Sequence, residues 1–227
     1  MTTSTPESAS TPAPAATVAR AVAEKLGFDF LDTGAMYRAI GLEAVRRRAN
    51  LEDQRELAFI ARHVKIEFDW SKRPPGVLLN GEPVGHLVRG GEATRAASYV
   101  ATVPAIREIL VRQQQQIGQQ RPDLVTEGRD QGSVVFPHAG LKFFLDATPA
   151  ERARRRVAQL RHRGEIVDYQ DILNGILDRD HRDSSRLHGP LVVPTDAEVI
   201  DTTKLSEAQV IERIVARARS REEGAAR

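Results

Sequence analysis

Four short apolar runs, FDFLD (28–32), LVTEGRD (124–130), LKFFLDA (141–147) and EVIDTT (198–203), are separated by stretches of helical periodicity. Strands alternating with helices of this length pack as a parallel sheet covered by helices, so the chain reads as an α/β fold. LKFFLDA is apolar almost without a break, the pattern of a strand buried on both faces. Residues 17–26 put Val18, Val22 and Leu26 on one helical stripe, and Gly27 ends it. Helical patterns recur at about 35–48, 104–119, 149–163 and 168–180, and after Ser206. Thr148–Glu151 and Ser206–Gln209 each read as a capping box, the first with proline at the opening helical position.

One segment breaks this rhythm. VKIEFDW (64–70) and GVLLNGEPV (76–84) alternate apolar and polar residues, and the second contains Asn80-Gly81, a tight-turn signal. A small antiparallel insertion at about 62–102 is the expectation. Residues 1–16, rich in Ser, Thr, Pro and Ala, have neither a basic start nor an apolar core, so they read as a disordered tail rather than a signal peptide.

Composition narrows the function. No apolar run approaches the roughly 18 residues of a membrane span, and the absence of cysteine removes thiolate and disulfide chemistry, compatible with a reducing cytoplasm. A net charge of +2 gives no bulk attraction to nucleic acid, and 5% aromatic residues leave few side chains for bases to stack on, so nucleic-acid binding and membrane association are not expected. The basic residues are unusual in kind: with lysine only at 25, 65, 72, 142 and 204, 28 of the 33 are arginine. Arginine's planar fork suits phosphate and carboxylate, although a GC-rich genome would raise arginine as well.

Open α/β sheets bind ligands beyond the carboxyl ends of their strands. Those ends are Asp32-Thr33-Gly34, Glu127-Gly128-Arg129-Asp130 and Asp146-Ala147-Thr148, each with arginines following. Any one could be a turn fastened by a local salt bridge; three together favour a polyanionic ligand. In RDHRDSSR (179–186), Arg179, Asp183 and Arg186 share a helical face. That face is either a solvated ion-pair ladder or a base reader, a carboxylate accepting from the exocyclic amine of cytosine while guanidinium groups donate to its ring acceptors.

The ordered set LGFDFLDTGAMYRAI, NGEPV followed by VRGGEATRAASYVATVPAIRE, TEGRDQGSVVFP, LKFFLDATPAERARRR and ILDRDHRDSSRLHGPLVVPTDAEVIDTTKLS resembles the bacterial cytidylate kinases from Thr17 to about residue 217. The resemblance implies a P-loop-kinase-like three-layer α/β fold with the 62–102 segment as the nucleoside-monophosphate-binding insertion and about 149–187 as a lid. It implies transfer of the γ-phosphoryl group of ATP, with Mg²⁺, to CMP or dCMP, by a cytoplasmic monomer. By position it assigns Thr33 and Arg38 to the ribose or phosphate of CMP, and Arg107 and Arg129 to the acceptor phosphate. Ser98, Asp183 and Arg186 fall on cytosine recognition, with Arg179 facing the nucleotide. Asp130 matches a carboxylate that orders the site, and Arg152 and Arg156 match lid arginines over ATP. Phosphoryl transfer asks chiefly for positioning and charge neutralisation, which arginines supply.

Departures from the family pattern are Glu127 in place of aspartate, the looser RGGEATR, and His138 where aspartate is usual. The largest is at the start. The family's apolar strand and G-x-x-x-x-G-K-[ST] loop precede its first helix; here Thr17 fits the loop's last position and no glycine occurs before Gly27. Because that strand is central to the sheet, its neighbours are expected to carry unpaired backbone groups. The expectation is a start that is truncated or mis-assigned, with a true deletion second and, as the alternative function, an inactive CMP-binding module.

Overall fold

The computed structural model describes residues 15–162, 164–185 and 189–225. Helix α1 (Ala15–Leu26) opens it, two residues ahead of the expected Thr17; the rest of the expected tail lies outside the described residues. Gly27 closes α1 at φ +75, where an L side chain would be strained. Its N–H returns to the Glu24 carbonyl and that of Phe28 to the Ala23 carbonyl, the paired bonds of a Schellman cap. Strand β1 (Asp29–Asp32) runs directly into α2 (Thr33–Arg46), and α3 (Gln54–His63) follows.

The insertion is an antiparallel sheet of β2 (Ile66–Asp69), β3 (Gly76–Leu79) and β4 (Glu82–Pro83). Its β3–β4 turn places Asn80 at φ 53 and Gly81 at φ 83, both left-handed as the Asn-Gly pair anticipates. Helices α4 (Gly91–Val100) and α5 (Pro104–Gln120) lead to β5 (Leu124–Glu127). After a π-helical turn at Gln131–Val135 come β6 (Phe143–Asp146), α6 (Pro149–His162), α7 (Tyr169–Ser185), β7 (Glu198–Asp201) and α8 (Glu207–Ala225).

The parallel strands form two pairs. β1 lies beside β5, register-matched from Asp29–Leu124 to Asp32–Glu127, and β6 lies beside β7, from Phe143–Glu198 to Asp146–Asp201. Among the described residues no ladder joins the pairs, so β5 and β6 each keep one edge without a strand partner. Two apolar clusters sandwich the strands. One gathers Leu31, Met36, Ile40, Ile106 and Leu110 with the insertion's Leu79 and Val84. The other joins Val18 and Val22 of α1 to Ile200 of β7 and Val210, Ile211 and Ile214 of α8, with Val125, Phe143 and Leu145 against it. The α1–α8 layer thus touches both pairs. Burying a side chain the size of Met36 or Ile40 contributes about 1.5–3 kcal/mol.

Three expectations need correcting. β6 is only half-buried, with Asp146 exposed, because an edge strand cannot be covered like a central one. α7 runs on to Ser185, and none of its residues is buried. The first capping box closes on one side only. The Glu151 N–H reaches Thr148 Oγ1 at 3.3 Å, but the Glu151 carboxylate turns to Arg154 and Arg155 instead of back to the cap. Those ion pairs hold its pKa down at about 2. The second box is reciprocal, with Ser206 N–H to Gln209 Oε1 at 2.9 Å and Gln209 N–H to Ser206 Oγ at 3.3 Å.

Candidate active site

The register pairing of Asp32 with Glu127 sets the carboxyl ends of β1 and β5 side by side. Asp32 caps α2, its Oδ1 accepting the Ala35 N–H at 2.8 Å, while Arg38 Nη2 lies 3.0 Å from each of its oxygens. A Cβ on Gly34 would stand 2.8 Å from Arg38 Nη1, so a side chain there would push the guanidinium aside. Thr33, nearly buried, donates from Oγ1 to the Glu127 carbonyl at 2.6 Å, crossing from one strand end to the other. A Cβ on Gly128 would stand 2.9 Å from that hydroxyl, so the close approach of the two turns depends on glycine.

Beyond Gly128 the turn divides its two charged residues. Asp130 goes inward and forms a buried ion pair with Arg107 of α5, each side chain 7% exposed. Arg129 goes outward, its Nε donating to Asp183 Oδ2 of α7 at 2.9 Å, and Arg179 Nε lies 3.6 Å from the same oxygen. Gly189, at φ +59, packs against the Arg107–Asp130 pair. Thr33, Arg38, Arg107, Arg129, Asp130, Arg179 and Asp183 are therefore gathered around the ends of β1 and β5.

Glu127, at the strand end the sequence marked, belongs to this cluster although it departs from the family's aspartate. Desolvation pushes its carboxyl up from the ordinary glutamate value; the neighbouring Asp32 charge adds to that, and Arg129, Arg38 and Arg179 oppose it. A site with this many guanidinium groups and two crowded carboxylates is poised for an incoming anion.

Other expected residues lie elsewhere. Arg152 of α6 bonds the Ala147 carbonyl through Nε at 3.0 Å and grips Asp180 of α7 with both terminal nitrogens, at 2.8 and 2.6 Å. Arg156, one turn on, is exposed and has no ion pair among the described residues. Helix α7 hence links the two strand pairs, holding Arg152 through Asp180 and Arg129 through Asp183. Ser98 sits half-buried on α4 without a side-chain hydrogen bond among the described residues. Thr17 lies in the first turn of α1. Arg186 lies outside the described residues.

A model of the cytidylate kinase family matches residues 10–220. The chain belongs to the cytidylate kinase family. A cytidylate kinase of Caldanaerobacter subterraneus subsp. tengcongensis is 43% identical over 87% of this chain and 86% of its own length. Those of Klebsiella pneumoniae and Pelotomaculum thermopropionicum are 41% and 44% identical, over 90% and 88% of this chain and 90% and 89% of theirs. The family is one of nucleoside monophosphate kinases, so the lineage is that of an enzyme, and the alternative of an inactive nucleotide-binding module is not favoured. Among the described residues no helix is long and apolar enough to cross a membrane.

Proposed function

We propose that this chain phosphorylates CMP or dCMP from MgATP, with the acceptor nucleotide held at the ends of β1 and β5. The observation that carries the reading is the gathering of Arg38, Arg107 and Arg129 there, each fixed by its own carboxylate: Asp32, Asp130 and Asp183. Arg129 uses Nε for Asp183, which leaves its terminal nitrogens to donate to a phosphate without loss of the existing bond. Charge that gathers on the acceptor phosphate meets donors already ordered, so little reorganisation opposes transfer.

Asp183 is the base reader. Its carboxylate accepts from the cytosine amine with Arg179 beside it, and Ser98 of the insertion and Arg186, which lies outside the described residues, complete recognition. Arg152 and Arg156 of α6 neutralise the donor's phosphates. Magnesium comes as part of the MgATP substrate. Thr17 would stand nearest it. The protein acts as a monomer in the cytoplasm, a setting its cysteine-free sequence suits.

Calorimetry tests the acceptor site. CMP or dCMP should bind more tightly than AMP, and Asp183→Ala should erase most of that preference, roughly 5- to 150-fold for one well-placed polar contact pattern. Equal affinity for CMP and AMP, or none for either, rejects the proposal.

A further inference from the structure

Beneath the arginine turn lies a second, uncharged device. Helix α5 places Arg107 and Gln114 two turns apart on its buried face, along with Ile106 and Leu110. Arg107 pairs with Asp130; Gln114, wholly buried, accepts at Oε1 from Gln131 Nε2 at 3.0 Å. Gln131 Oε1 in turn accepts from Thr126 Oγ1 of β5 at 2.9 Å. The Gln131 side chain runs directly under Gly128, whose added Cβ would stand 2.8 Å from Gln131 Cγ and 2.9 Å from its Nε2. The segment between β5 and the π-helical turn is thus gripped twice by one helix face, by an ion pair at Asp130 and by an amide chain at Gln131.

The amide chain is poor as mere filling. Gln114 Nε2 is buried with no hydrogen-bond partner among the described residues, a cost that Leu or Met at this position would avoid. What the amide supplies is direction. With Thr126 and Gln114 holding its two ends, Gln131 has one orientation, and the Gly128 backbone rests on it. Gly128 separates Glu127, whose carbonyl takes the Thr33 hydroxyl, from Arg129.

We infer that Gln131, locked by Gln114 and Thr126, is a positioning residue that sets the Gly128–Arg129 backbone and so aims Arg129 at the acceptor phosphate. The inference rests on the proposed CMP site.

The test uses the full chain in three forms: Gln114→Leu, Gln114→Leu with Gln131→Met, and Thr126→Val. Each is measured by thermal melting and by calorimetry with CMP. The single Gln114→Leu change strands the Gln131 amine and should lower both the melting temperature and CMP affinity. The apolar double change removes both amides and leaves only the partly exposed Thr126 hydroxyl to turn to solvent, so melting should recover towards that of the unaltered chain while CMP affinity stays roughly 3- to 10-fold weaker, the weight of one or two hydrogen bonds. Thr126→Val, nearly isosteric and at the edge of the network, should weaken CMP about 2- to 5-fold with little change in melting; it keeps the test open if the double variant does not fold. Recovery of both melting and affinity in the double variant, or unchanged affinity in Thr126→Val, overturns the inference. If the unaltered chain itself fails to bind CMP, the proposed function falls instead.

Discussion

Replacing Asp130 by asparagine isolates the buried ion pair under the proposed acceptor site. The substitution keeps shape and volume but leaves the Arg107 guanidinium buried beside a neutral amide, with both side chains only 7% exposed in the native pair. Removing one partner of a buried pair typically costs about 3–5 kcal/mol, mostly from the stranded charge. A domain of this size loses about 2–4 °C of melting temperature per kcal/mol, so Asp130→Asn should melt roughly 6–20 °C lower. The stranded guanidinium also makes a second, sharper expectation. An anion can replace the missing carboxylate, so inorganic phosphate or CMP should raise the melting temperature of Asp130→Asn by more than that of the parent. Differential scanning calorimetry with and without phosphate reads both effects. A variant that melts within about 1 °C of the parent, or gains nothing extra from phosphate, would refute the assignment of Arg107 as a buried charge dependent on Asp130.

Glu127 gives a pH signature of the opposite sign to most carboxylates. Its folded pKa is raised, so between the unfolded value of about 4.3 and that raised value the folded state binds more protons and stability falls as pH rises. Glu127→Gln should flatten that fall, which denaturant titrations from pH 4 to 8 can check; an unchanged profile would show that the carboxyl is not desolvated. On the donor side, Arg156→Ala should lower kcat far more than it raises the KM for CMP in a coupled ADP-release assay; a change confined to the KM would show that Arg156 does not serve the donor phosphates.

Much of the proposed acceptor site was legible because its residues sit at strand ends, which sequence marks by an apolar run stopping at an acid. Asp32, Glu127 and the arginines after them needed only that rule. Their partners were not legible: Arg107 meets Asp130 across 23 positions and Arg129 meets Asp183 across 54, and no local pattern encodes either choice. Helix α4 was hidden for another reason. Its contact with α2 is made by Ala93, Ala96 and Ala97 closing on Gly41, where a Cβ would stand 2.9 Å from the Ala93 carbonyl and from the Ala97 nitrogen. Alanine carries little hydrophobic signal, and the burial comes from backbones meeting. Helix α3 escaped notice because its stripe of Leu57, Ile60 and Ala61 is short, although Asp53 caps it with bonds to the Arg55 and Glu56 N–H groups.

The insertion is tied to the parallel strands by a stack in which the Arg121 guanidinium lies 3.9 Å over the Trp70 ring and bonds Asp29 Oδ2 at 2.5 Å. Trp70 is the sole tryptophan of the chain and follows β2 by one residue, while Asp29 opens β1. A cation over an indole perturbs its excited state, so emission excited at the red edge, where the three tyrosines do not absorb, comes from a single indole seated on the seam between the two sheets. Any swing of the antiparallel sheet that lifts the indole from Arg121 changes brightness and colour together, with no dye attached. Nature has placed an optical gauge at the joint, and stopped-flow fluorimetry can follow that joint in time.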